Sequence, residues 1–168
     1  MGRLFIVEGA DGTGKTTLVN KLVEQGMKLL PPVSRDCNCY DDLFSSFVSM
    51  ARDNNDWIMD RSIFTDIVYR YVLGGYSTRS NLATILQMLN KIDCTIIHCV
   101  NHNYYYNAME RGEDYITDKY TADKIYEAYD MLMFIISRYT TIQVMPYDYN
   151  CDIHKVELKQ ILGGKYAI

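Results

Sequence analysis

The 168-residue chain has no apolar run near the ~20 residues a membrane span requires, so no membrane role is expected. It has little excess charge, and the sign is wrong for a broad nucleic-acid face. Its 17 Lys and Arg are outnumbered by 21 Asp and Glu, for a formal net charge of −4. Metal-ligand spacing is missing as well. Cys37 and Cys39 stand as C-N-C, Cys94, Cys99 and Cys151 lie far away, and no pair has the C-x-x-C spacing of a zinc site. His98, His102 and His154 show no ligand spacing either. The start of the chain lacks the charged, apolar and small-residue succession of a secretory signal. With cysteines that read as free, a reduced, cytoplasmic compartment is expected. There is no internal repeat, low-complexity tract or linker.

What is present is an ordinary globular mixture, 48% hydrophobic and 23% charged, at a length that suits one domain spanning residues 1–168. Short apolar segments alternate with helical periods. Leu4–Val7 reads as a buried strand and Lys15–Glu24 as a helix. Met27–Leu30 reads as a short strand stopped by Pro31-Pro32. Helical spacing runs from Asp42 to Arg52. Trp57–Asp60 is a strand ending in an acid, and Thr65–Val72 a helix closed by Gly74-Gly75. Ser80 is a candidate cap for a helix through Asn90, and Cys94–Val100 is a strong strand in which Cys94 and Cys99 read as core filler. Residues 101–120 are polar and tyrosine-rich without a clear period. Thr121 is a candidate cap for a long helix carrying Ile125, Ala128, Leu132 and Ile135. Thr141–Met145 and Asp152–Leu162 read as the last strand and helix. This alternation predicts an α/β fold, a parallel sheet of about five strands with helices on both faces. Ligands in such folds lie beyond the C-terminal strand ends, where Glu8 and Asp60 fall.

The most specific signal is Gly9-Ala10-Asp11-Gly12-Thr13-Gly14-Lys15-Thr16, which matches G-x-x-x-x-G-K-[ST] between a strand and a helix. Glycines let successive N–H groups turn inward toward phosphate oxygens, and the helix N-terminus adds partial positive charge. Gly9, Asp11, Gly12, Thr13, Gly14, Lys15, Thr16 and Thr17 are therefore the candidate ATP-binding residues, with Lys15 on the β- and γ-phosphates and Thr16 on Mg²⁺. Asn90-Lys91-Ile92-Asp93 spells the N-K-x-D guanine motif, but it precedes a strand where that motif follows one. Asp60, at the end of a hydrophobic strand, is a second candidate Mg²⁺ ligand. Arg61 beside it suits a forked grip on phosphate oxygens. The loop has no arginine between Gly9 and Lys15, so transition-state charge must be met from elsewhere, and Arg111 is the candidate. Tyr104-Tyr105-Tyr106 reads as packing, and the three histidines are assigned no chemistry.

These segments resemble the thymidylate kinase and deoxynucleoside kinase superfamily of P-loop nucleotide kinases, in compactness most like virus-encoded members. Glu8-Gly9-Ala10-Asp11 resembles the E-G-x-D opening of thymidylate kinases. Asp60-Arg61, followed by Thr65 and Tyr69, resembles their D-R-x-x-x-[ST] segment. Asp60–Asp66 also resembles the E-R-S-x-x-S-D segment of deoxynucleoside kinases. Leu43-Phe44-Ser45-Ser46 resembles the segment that stacks an aromatic ring on the acceptor base. The resemblance implies an acceptor site of Asp11 near the sugar, Phe44, Arg52 and Asp66 on the base, Arg61 on a monophosphate, and Tyr69. It places a lid at about 101–120, here thinned to Met109–Glu113. The chain is also shorter than typical members, and Pro31-Pro32-Val33 stands where relatives carry an acid-Pro pair.

Glu8, at the strand end, is expected to face the crevice. It would be a general base if the acceptor is a hydroxyl, or a structural group or one in or behind the Mg²⁺ shell if the acceptor is a monophosphate. The expected activity is transfer of the ATP γ-phosphate to a deoxynucleoside monophosphate. A deoxynucleoside acceptor, a hydroxymethylated base within DNA, and a nucleotide-sensing switch remain alternatives, and a homodimer remains open.

Overall fold

The computed structural model describes residues 2–30, 54–74, 82–112 and 118–168. The helix expected over Asp42–Arg52, the Pro31-Pro32 stop, the Ser80 cap, Phe44 and Arg52 lie outside the described residues.

Five strands form one sheet: β1 (Leu4–Glu8), β2 (Lys28–Leu29), β3 (Trp57–Asp60), β4 (Cys94–Cys99) and β5 (Gln143–Tyr147), in the order β2-β3-β1-β4-β5. Each paired neighbour is parallel, with Leu4 opposite both Trp57 and Cys94, and Thr95 opposite Gln143. The central strand shows why the first apolar run is continuous. Alternate residues of a strand point to opposite faces. Leu4 and Ile6 enter one core with Met59, Ile96 and Tyr129, while Phe5 and Val7 enter a second core with Ile58, Ile97 and Tyr147. A strand covered on both sides has no solvent face on which to place a polar residue.

Helices α2 (Ile63–Leu73), α3 (Leu82–Leu89) and α5 (Lys119–Tyr139) cover the first face, through Phe64, Ile85, Ile125 and Leu132 among others. Helices α1 (Lys15–Glu24) and α6 (Asp152–Ile161) cover the second, through Leu18, Leu22 and Leu158. Burying each of these large side chains contributes about 1.5–3 kcal/mol.

Two expectations are corrected. The stretch 101–120 contains a helix, α4 (Tyr104–Glu110), whose seven residues bury only Ala108, too few to print a period. The cap of α5 is Asp118, not Thr121. Its carboxylate accepts from the Thr121 N–H at 2.8 Å and from the Thr121 hydroxyl at 2.9 Å.

The sheet's N-terminal edge is closed by a clamp. Arg3 donates from Nε and Nη2 to the Asp56 carboxylate (3.1 and 2.9 Å) and from Nη1 to the Ile161 carbonyl (2.8 Å). The Tyr166 hydroxyl donates to the same carboxylate at 3.2 Å. These bonds tie β1, β3 and the C-terminal segment together. Asn90–Asp93 lies at this same end, the Asp93 carbonyl accepting from the Leu4 N–H, so it is remote from the glycine loop. Among the described residues no helix is long and apolar enough to cross a membrane.

Candidate functional site

β1 ends in Glu8 and delivers the glycine loop directly onto the N-terminus of α1, where Gly14 stands at the cap in the left-handed region with no side chain capping the first turn. The first N–H groups of α1 are thus left for an external acceptor. Two glycines are required by close approach. A Cβ on Gly9 would lie 2.4 Å from the Cys99 carbonyl oxygen, and one on Gly12 would lie 2.0 Å from that of Tyr104. The loop is therefore wedged between the end of β4 and the start of α4.

Lys15 is almost fully buried, and its ammonium donates to the Ala10 carbonyl at 2.6 Å with Asp11 at 3.7 Å. Burial lowers its pKa, with neighbouring Asp11 opposing. The lysine head thus lies folded across the loop it belongs to. The Thr13 hydroxyl donates to the same carbonyl at 2.7 Å. Thr16 and Thr17 are exposed at the start of α1.

The Thr16 hydroxyl donates to Asp60 Oδ2 at 3.1 Å, whereas Asp60 Oδ1 is buried without a hydrogen-bond partner among the described residues. An orphaned buried carboxylate oxygen is costly unless something completes it. A hydroxyl and a carboxylate are hard oxygen donors of the kind Mg²⁺ takes, so these two residues fit that ion.

Arg61 is the one non-glycine residue with positive φ among those described, at 65°. Such backbone strain costs on the order of 1–3 kcal/mol and persists where surrounding contacts impose it. Here the Arg61 N–H donates to the Val7 carbonyl at 3.1 Å. Its Nη2 donates to Asp11 Oδ1 at 2.6 Å, and the Tyr69 hydroxyl donates to Asp11 Oδ2. Asp11, Arg61 and Tyr69, far apart in sequence, thus meet directly beside Lys15.

Of the roles expected of Glu8, its geometry matches the structural one. Its carboxylate is fully buried under the turn that follows β3. Oε1 accepts from the Ser62 N–H and the Ser62 hydroxyl, both at 2.6 Å, and Oε2 accepts from the Thr65 hydroxyl at 2.8 Å. Tyr129 on α5 donates to Thr65 Oγ1 at 3.0 Å. Burial pushes the Glu8 pKa up, and the bonds from Ser62 and Thr65 only partly offset that. Ser62 also caps α2, accepting from the Phe64 N–H at 3.2 Å. Glu8 fastens the start of α2, which sequence spacing alone does not reveal.

The remaining expected residues are more scattered. Asp66 is paired along α2 with Arg70, whose Nε donates to it at 2.7 Å. Arg111 caps the C-terminal end of α4 and is exposed. Sequence reading missed Asn107 and Tyr149. Asn107 on α4 donates to the Gly12 carbonyl at 2.9 Å, and the Tyr149 ring sits 3.0 Å from where a Gly14 Cβ would stand. Neither carries a motif, and α4 itself was not anticipated. Tyr104 stacks on Tyr126 at 4.5 Å and donates its hydroxyl to Asp123. The His98 imidazole is held down to about 4 by burial and by Lys15, so it is neutral at pH 7. Burial pushes the Cys94 and Cys99 thiols up to about 12.

No protein-family model matches the chain, and no curated protein matches it in sequence. Solved structures do. The YorR protein of Bacillus subtilis, in complex with phosphorylated GDP, is 22% identical over 95% of this chain and 95% of that one, with a TM-score of 0.66. Deoxyadenosine kinase from M. mycoides with dCMP and dCDP is 16% identical over 96% of this chain and 97% of that one, with a TM-score of 0.60. The same enzyme with dATP gives 16% identity, 96% and 98% coverage, and a TM-score of 0.59. With its parallel five-stranded sheet and its glycine loop at the C-terminal end of β1, the chain has the α/β fold of the P-loop nucleotide and deoxynucleoside kinases.

Proposed function

We propose that the protein is an ATP-dependent kinase transferring the γ-phosphate to a deoxynucleoside monophosphate, with residues 1–168 as one kinase domain and about 101–120 as its lid. The observation that carries this choice of acceptor is the state of Glu8. A hydroxyl acceptor must lose a proton to a positioned base within hydrogen-bond reach. The Glu8 carboxylate is buried and already accepts three hydrogen bonds from Ser62 and Thr65. A monophosphate acceptor arrives deprotonated and needs no base, only alignment and charge compensation.

On this reading ATP lies along Gly9–Thr17. The Lys15 ammonium exchanges the Ala10 carbonyl for phosphate oxygens. Thr16 and Asp60 hold Mg²⁺, which when bound neutralises charge building on the transferring group. Arg61 exchanges Asp11 for the acceptor phosphate, as a forked donor suited to it. Asp11 and Tyr69, released from that ion pair, face the acceptor sugar. Arg111 approaches from the lid.

The test is an acceptor panel of deoxynucleosides and their monophosphates in a coupled ATPase assay, run on the wild type and on Arg61→Ala. The expected result is turnover with a monophosphate, and a variant whose acceptor KM rises or kcat falls while ATP affinity stays near normal. Losing a charge-assisted grip is worth about 1.5–3 kcal/mol, or roughly 10–150-fold in kcat/KM. Preference for an unphosphorylated nucleoside, or equal loss of both affinities in the variant, refutes the assignment. Slow hydrolysis indifferent to every acceptor indicates a nucleotide switch.

A further inference from the structure

Asn107 reaches the glycine loop at a peptide whose direction the motif itself does not fix. Gly12 stands in the left-handed region at a φ of 81°. Glycine takes either sign of φ at little cost, so the peptide between Gly12 and Thr13 is free to reverse unless something holds it. A trans peptide is planar, with its carbonyl and its N–H on opposite sides. The Gly12 carbonyl is turned to α4, so the Thr13 N–H points away from the helix packed against the loop. A phosphate cradle is built from such N–H groups. A reversed peptide would present a carbonyl oxygen in that place and repel the phosphate.

One side chain holds the carbonyl where it is. Asn107 Nδ2 donates to it at 2.9 Å and also donates to the Tyr149 hydroxyl at 3.4 Å. Both partners of that amide nitrogen belong to a brace around the loop. The first turn of α4 is seated on Gly12, where a Cβ would lie 2.0 Å from the Tyr104 carbonyl oxygen and 2.9 Å from the Ala108 nitrogen. The Tyr149 ring is seated on Gly14, 3.0 Å from where its Cβ would stand. The turn carrying Tyr149 is itself tied down. Asp148 Oδ1 accepts from the Asn150 N–H at 2.9 Å and from Asn101 Nδ2 at 3.4 Å. Core packing does not account for the pair, since Asn107 is only half-buried and Tyr149 is 40% exposed.

We propose that Asn107, oriented by Tyr149, is a positioning residue for the donor triphosphate, holding the Thr13 N–H available before the nucleotide arrives. This rests on the reading of Gly9–Thr17 as the ATP site and not on the choice of acceptor. Without the amide, the peptide samples both directions and only the competent fraction binds, so the apparent Kd rises by the inverse of that fraction. Bound ATP then holds the peptide itself, so turnover at saturation is spared. The test is calorimetric titration of the full chain with ATP and Mg²⁺, beside steady-state ATP turnover. Asn107→Ala should raise the ATP Kd about five- to tenfold, as for one lost hydrogen bond. Its kcat should stay within about threefold of wild type, because the effect is on binding. Its melting temperature should stay within a few degrees, since alanine suits a helix and the site is half-buried. Tyr149→Phe keeps the ring on Gly14 and should raise the Kd about two- to threefold, adding nothing further in the Asn107→Ala background. An Asn107→Ala protein that binds ATP like wild type, one that keeps its affinity and loses kcat, or two substitutions with independent effects overturns the proposal. A wild type that does not bind ATP removes the donor-site reading and the proposal together.

Discussion

Glu8 is the residue whose substitution discriminates most sharply, because two chemistries assign it opposite importance. Three hydrogen bonds converge on its carboxylate, from Ser62 N–H, Ser62 Oγ and Thr65 Oγ1. Glu8→Ala would deprive all three donors of that acceptor, the two on Ser62 in a buried position. At about 1–1.5 kcal/mol for each lost bond, the cost is roughly 3–5 kcal/mol, or on the order of 10 °C in melting temperature for a chain of this size. The strained Arg61 turn would loosen with it, since Ser62 is its next residue. Glu8→Gln keeps the shape and one carbonyl acceptor, and the hydroxyls of Ser62 and Thr65 can rotate to receive the new amide. The raised pKa gives the sign of the charge effect. A carboxyl raised above its unfolded value contributes stability below that unfolded pKa, and the contribution fades as pH rises through the folded value. Burial disfavours the charged form of this carboxyl, so a neutral amide should cost little. Glu8→Gln should melt within a few degrees of wild type and keep kcat for a monophosphate within about tenfold. Glu8→Ala should lose both stability and activity. The assays are thermal melting and steady-state kinetics with a nucleoside and its monophosphate. A Glu8→Gln enzyme that melts like wild type yet loses the ~10²–10⁴-fold expected of a general base refutes the positioning role.

Two further outcomes follow from the same geometry. Lys15→Met should retain the fold and melt no lower than wild type, because it removes a buried cation whose charged form burial already disfavours, while removing most phosphoryl transfer; activity within about threefold of wild type would contradict it. Arg3→Ala should destabilise by about 2–3 kcal/mol, since it leaves the Asp56 carboxylate buried with fewer donors. Burial raises the Asp56 pKa, but Arg3 overrides it and the net shift is downward. The clamp's stabilisation is thus complete above the unfolded pKa of about 3.9 and is lost as pH falls through the lower folded value. Denaturant titrations from pH 6 to pH 2 should show a flatter acid limb in the variant.

The frame of the fold was legible because it rests on periodicity. A run such as Leu4-Phe5-Ile6-Val7 reads as a strand covered on both faces, and it is one. The glycine loop was legible because only such a sequence admits backbone approaches as close as those at Gly9 and Gly12. What sequence order did not disclose is direction. Glu8 ends its strand in the right register to meet a metal, yet Val7 aligns with Asp60 on β3 and brings the Ser62 turn within hydrogen-bond reach of Glu8. The choice between crevice and turn is made by that neighbour, not by anything local to β1. The same holds for Asp11, whose partners Arg61 and Tyr69 arrive 50 and 58 residues later. Asn107 and Tyr149 were invisible for a different reason. Each acts on the glycine loop from an element that has no period or motif of its own, so only the folded chain brings them to Gly12 and Gly14. The loop's identity is therefore written locally, while the aim of the side chains around it is set by strand register.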